Sequence, residues 1–177
     1  MKSPRPFTIV CVILLTVAGC FGPPSEIRSV KKYKSCRKSF PPQLVARFPT
    51  DTPEDKSDPV FSYYPGFLQG GAHIQLRVRL SPETIVNLVD ELKTQTKHAY
   101  KGGGFFTHYN EDQEHNLPTA SYHTQRDDVD ANEFPGHFTL YVLDADDRAS
   151  GSWNHGSTFG IAISEETNEA IYWAENW

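Results

Sequence analysis

All seven histidines of this 177-residue chain lie beyond residue 72, and four of them, His98, His108, His115 and His123, fall between Lys97 and Pro135 with Glu111, Asp112 and Glu114 interleaved. Imidazole and carboxylate together suit zinc or manganese. No HExxH, CxxC or comparable fixed spacing accompanies them, so solvated loop histidines explain the pattern as well, and no metal or other cofactor is expected. DDVDANEF places Asp128, Asp130 and Asn132 as in the first half of a calcium loop, but Glu133 stands where the turn needs glycine and Thr139 where the bidentate acid belongs. DADDRASG, from Asp144, fails in the same way, and both stretches read as turns between strands.

Other chemistry is equally unmarked. The serine of GSTFG is one place too early for a nucleophile elbow, and GGGFF lacks the spacing and preceding strand of a phosphate loop. Acids are so frequent that no two form a distinctive catalytic pair. No catalytic residue is therefore assigned. Aromatic residues beside glycines are the remaining signal: Trp153 in GSWNHG and Phe105 in KGGGFFTHY are candidate binding residues, because aromatic faces on loops stack sugars or grip a partner. Peptidoglycan or another envelope protein is the expected partner for such a surface.

The amino terminus carries a firmer signal. Lys2 and Arg5 precede an apolar run from Phe7 to Val17 that closes on Ala18, Gly19 and Cys20. As a helix this run is about 16 Å long against a hydrocarbon core of roughly 30 Å, which makes it an export leader rather than a membrane span. Val17-Ala18-Gly19-Cys20 resembles the lipobox of bacterial lipoproteins, and the resemblance covers the first 20 residues only. It implies a diacylglycerol thioether on Cys20, cleavage after Gly19, acylation of the new amino terminus and anchorage to the lipid bilayer, with palmitate as a typical acyl group. Valine replaces the usual leucine at the first position of the box. Phe21 stands where a retention aspartate would be, which favours the outer membrane in a cell that has one. Val17 and Gly19 also satisfy the rule for ordinary secretory cleavage.

The three cysteines are Cys11, Cys20 and Cys36. Cys11 leaves with the leader. If Cys20 carries lipid, Cys36 is a lone thiol; if not, the two can close a disulfide loop. Basic neighbours are expected to lower the Cys36 pKa.

Three regions follow from composition: a signal peptide over 1–19, a lipidated, basic, Pro-rich tether over 20–59, and an acidic globular domain over 60–177. The second holds seven of the thirteen prolines, and as a flexible chain it would span about 35 Å. Within it FPPQLVARFP has Leu44, Val45 and Phe48 spaced to dock on the domain, while Arg28, Lys31, Lys32, Lys34, Arg37 and Lys38 could meet anionic headgroups. From Val60 to Trp177 seven Lys/Arg face seventeen Asp/Glu. A field of that sign repels nucleic acid, which is excluded as a partner.

The elements of the third region are legible in part. Phe61 to Tyr64 reads as a strand ended by Pro65-Gly66. HIQLRVRL alternates, with Ile74, Leu76, Val78 and Leu80 to one side and His73, Gln75, Arg77 and Arg79 to the other, as in a half-buried strand. In SPETIVNLVDELKTQT, Ser81 is an N-cap, Pro82 opens the helix, and Ile85, Leu88, Val89 and Leu92 form an apolar stripe. Phe138, Leu140 and Val142 alternate in another strand, and residues 157–177 read as a hairpin turning at Glu165 to Asn168. FFTHYN and TASYHT are either irregular strands or parts of a functional loop. The expected fold is α+β: an antiparallel sheet of four to five strands with one main helix on one face and a C-terminal β-hairpin.

The functional expectation is a bacterial cell-envelope lipoprotein whose domain is a noncatalytic binding or structural module. The alternative is a membrane-anchored hydrolase using His, Asp and Glu of residues 98–137, with or without a metal.

Overall fold

A computed structural model describes residues 23–52, 54, 57–67, 71–96, 98–103, 120–125, 133–147 and 156–176. Six strands form one antiparallel sheet: β1 Val60–Tyr64, β2 Ala72–Arg79, β3 His98–Lys101, β4 Thr139–Asp147, β5 Gly156–Ser164 and β6 Glu169–Asn176, in the spatial order β1-β2-β6-β5-β4-β3. Two helices accompany it, α1 Tyr33–Ser39 and α2 Pro82–Gln95. The class is α+β, as the sequence indicates, with more strands than expected. β3 is the added one, a four-residue edge strand from the stretch that periodicity left unplaced. Asp144 to Asp147, expected as part of a turn, instead continue β4 opposite Gly156–Phe159, beyond a bulge between Val142 and Asp144.

The best-marked elements form where their chemistry places them. Ser81 caps α2 by accepting a 3.2 Å hydrogen bond from the Thr84 amide, and Ile85, Val89 and Leu92 are buried against the sheet. β5 and β6 make the C-terminal hairpin, closed through Asn168 at φ 54°, a left-handed conformation that asparagine tolerates.

Both faces of the sheet are covered. On one, Phe61, Ile74, Leu76, Val78, Ile161 and Ile163 pack with α2. On the other, Leu140, Val142, Ala162, Ile171 and Trp173 pack beneath Ala120, Tyr122, Phe134 and Phe138. The second cover turns the expected two layers into three. It also buries the supposed solvent side of β2, where Gln75 is only 1% exposed.

The segment expected as a tether is part of the core. Tyr33, Cys36, Phe40, Leu44, Val45 and Phe48 are all buried in the layer that contains α2. Their spacing is irregular because α1 and the turns after it each contribute one or two apolar side chains, so neither helical nor strand periodicity marks the segment. Leu44, Val45 and Phe48 dock as their spacing indicates. Cys36 is a free, buried thiol, and burial pushes its pKa up despite the Ser35 hydrogen bond and the Lys32 charge, contrary to the lowering expected from its basic neighbours.

Gly160 shows how tightly the second face is built. It lies opposite Trp173 across the β5–β6 ladder, and a Cβ there would overlap the Tyr141 carbonyl oxygen and stand 2.7 Å from Trp173 Cζ2. Gly160→Ala is expected to lower stability by about 1–3 kcal/mol, the usual cost of overfilling a packed core. The shift of the urea midpoint measures it, and an unchanged midpoint would mean that Trp173 is not seated against this glycine.

Candidate functional site

On the second face, β2 presents His73, Gln75 and Arg77, and each polar side chain is held by a different device. Gln75 acts as a substitute strand partner. Its Oε1 accepts from the His123 amide (2.9 Å), the Thr124 amide (3.1 Å) and Thr124 Oγ1 (3.0 Å), and its Nε2 donates to the Ser121 carbonyl at 2.7 Å. Arg77 donates to both carboxylate oxygens of Glu169, at 3.1 and 2.7 Å, and to the Tyr122 hydroxyl at 2.7 Å. Residues 120–125 have no regular secondary structure, and Gln75 pairs the Ser121 carbonyl and the His123 and Thr124 amides that a strand ladder would otherwise have to satisfy.

This clamp brings His123 over His73. The two imidazole rings stack with centroids 3.6 Å apart and planes within 5°, and Tyr64 lies beyond His73 at 6.1 Å. The third member comes from the amino-terminal segment. Ile27 forms an antiparallel bridge with Tyr63 at the outer edge of β1, which sets Glu26 beside Ser62. Ser62 Oγ donates to Glu26 Oε1 at 2.5 Å and lies 2.8 Å from His73 Nε2, which is 3.5 Å from Glu26 Oε1. Arg28 pairs with Glu26 Oε2 at 2.9 Å and donates to the His123 carbonyl at 3.1 Å. Glu175 of β6, opposite His73 in the ladder, accepts from the Ser121 amide at 2.8 Å and lies 4.0 Å from His123 Nε2.

Electrostatics divide these groups by charge. Burial lowers the pKa of His73, with the Glu26 carboxylate opposing it. Burial, and then the charge of His73, take His123 down to about 4. Burial acts to raise Glu26, but the Ser62 hydrogen bond and the charge and hydrogen bond of Arg28 outweigh it and hold the carboxyl below its usual value. Burial raises Glu175 to about 7, against the Ser121 amide. At neutral pH the cluster therefore offers two uncharged imidazoles and the Glu26 carboxylate anion, with Glu175 partly protonated beside them.

The arrangement is not a nucleophilic triad. Glu26 and Ser62 approach the same nitrogen of His73, whereas a relay needs the acid on the far nitrogen. Ser62 is buried and its proton is committed to Glu26. What the geometry does provide is a carboxylate and two imidazoles whose ligand-type atoms all lie within 4.8 Å of one another.

Of the residues singled out from sequence, His123 enters this cluster, but its neighbours are Glu26 and His73 rather than the acids at 111–114. His98 lies on β3, opposite Val142 and away from the cluster. Cys20, Phe105, Trp153, His108, His115, Glu111, Asp112, Glu114, Asp128, Asp130 and Asn132 lie outside the described residues. Sequence reasoning missed Glu26, Ser62, His73 and Glu175 as a set. The available signal was the polar run His73, Gln75, Arg77 on a strand that could be covered on both sides. Compared with known protein families, curated proteins and solved structures, the chain matches none.

Proposed function

We propose that this chain is a bacterial cell-envelope lipoprotein, fastened through acylated Cys20, whose folded body serves as a noncatalytic binding or structural module. The observation that carries this reading is the apolar leader ending in Val17-Ala18-Gly19-Cys20. The packing of the amino-terminal segment refines it. Ile27, which among the described residues is the first whose backbone bonds to the sheet, lies seven positions beyond Cys20, a reach of at most about 25 Å. An anchored body would thus be held close to the headgroups rather than floated above them. Lys31, Lys32 and Lys38 are exposed on this same stretch, while Arg28 and Lys34 are paired with Glu26 and Asp51, and each basic group near an anionic surface contributes about 1 kcal/mol of attraction. The buried, committed hydroxyl of Ser62 speaks against a serine nucleophile at this cluster.

Cells grown with labelled palmitate test the anchor. Label should travel with the full chain and vanish in Cys20→Ser, which should accumulate with its leader uncut. Equal labelling of the variant, or no label on the parent chain, overturns the proposal.

A further inference from the structure

We propose that Glu26, His73 and His123 form a binding site for one divalent transition-metal ion of the zinc and copper(II) class. The three residues come from the amino-terminal segment, β2 and the irregular cover segment, and their ligand atoms converge within 4.8 Å. Each is fixed from behind: Glu26 by the Ile27–Tyr63 bridge, His73 by the β1 and β6 ladders, and the His123 backbone by Gln75 and Arg28.

Two nitrogens and one carboxylate oxygen select the class. Calcium and magnesium take all-oxygen shells, whereas imidazole suits zinc, copper and nickel. The sulfur of Cys36 belongs to the opposite layer of the fold and is not available as a ligand here.

The metal-free geometry shows what binding must change. Bonds of about 2.0–2.1 Å to a tetrahedral ion place ligand atoms about 3.3 Å apart, so the cluster closes by one to two ångströms. An imidazole binds in its own plane, and two parallel rings at 3.6 Å cannot both aim at one ion. One ring must turn. His123 is the one free to do so, because its backbone stays clamped while its side chain lies on a segment outside the sheet. Glu175, 4.0 Å from His123 Nε2, is close enough to accept the N–H of the turned ring, the usual second partner of a metal-bound histidine.

Arg28 sets the affinity. Its guanidinium occupies Glu26 Oε2 in the metal-free state and adds a positive charge next to the incoming cation. Removing that charge should tighten binding, an effect opposite to what loss of a structural contact would produce. The site does not depend on lipid at Cys20, so its test and that of the anchor are separate.

The experiment titrates the full chain, purified in detergent and stripped with a chelator, with zinc chloride and with cobalt(II) chloride, reading heat and the visible absorption of bound cobalt. One ion per chain should bind, calcium should not compete, and Glu26→Gln and His123→Ala should each weaken binding at least tenfold. Arg28→Gln should tighten it about threefold to tenfold. The urea midpoint of each variant checks that it is folded; should His123→Ala unfold, His123→Gln takes its place. Undiminished binding in the Glu26 and His123 variants places the ion elsewhere and overturns the proposal, as does absence of binding in the parent chain.

Discussion

Replacing Arg77 by methionine is expected to lower the stability of the fold by about 3–5 kcal/mol at pH 7, the usual cost of breaking a buried ion pair from one side. Methionine keeps most of the stem but leaves Glu169, 1% exposed, without its bidentate partner. Arg79 lies 3.7 Å from the same carboxylate but is about half exposed, so water screens much of its charge. The substitution also removes the hydrogen bond to the Tyr122 hydroxyl that helps hold the cover segment down. Acid should shrink the effect. Burial works to raise the pKa of Glu169, yet hydrogen bonds from Arg77 and Thr167 and the charges of Arg77 and Arg79 bring it below the ordinary carboxylate value. A depressed native pKa contributes stability that is complete above the unfolded value of about 4.3 and is lost as pH falls through the native one. Methionine removes most of that depression. Urea unfolding of both proteins at pH 7 and again below pH 4 checks the claim, and a penalty that did not decrease in acid would mean that the ion pair is not its source.

Arg77 also shows why some of this structure is legible in sequence and some is not. The alternation of Ile74, Leu76 and Val78 identifies β2, and the cap and stripe of α2 identify a helix, because a regular element repeats its own pattern over neighbouring positions. The opposite side of β2 resists such reading. His73, Gln75 and Arg77 look like groups facing water, yet residues 120–125 lie across them: His123 stacks on His73, residues 121–124 take up the Gln75 amide, and the Tyr122 hydroxyl accepts from Arg77. Nothing local to residues 120–124 announces that role, since their backbone partners, Arg28, Gln75, Tyr100 and Glu175 among them, all lie at least twenty positions away. The candidate site inherits the same difficulty: Glu26, His73 and His123 are separated by long stretches of chain and meet only once the third layer is in place.

Composition misled at the amino-terminal segment for a related reason. Its prolines and basic residues resemble those of a linker, and the large side chains between them have no regular period. Tyr33→Ala is the decisive substitution there. Tyr33 is fully buried, its ring meets Phe61 edge-on with centroids 5.5 Å apart, and its hydroxyl donates to the Pro49 carbonyl. Removing the whole ring is expected to cost about 3–5 kcal/mol, the range for large aromatic residues in cores. Tyr33→Phe removes only the hydroxyl, leaves the Pro49 carbonyl without that donor, and should cost about 1 kcal/mol. The same residue in a solvated tether would cost nothing in either variant, so the contrast between the two substitutions reads the packing directly. Limited proteolysis gives an independent measure: Arg37 and Lys38, next to buried Cys36 and Phe40, should resist trypsin in the parent chain and become cleavable in Tyr33→Ala. Early cutting at those residues in the parent chain, together with unchanged urea midpoints in both variants, would return the segment to the role of a linker and detach Glu26 from the histidines it is placed beside.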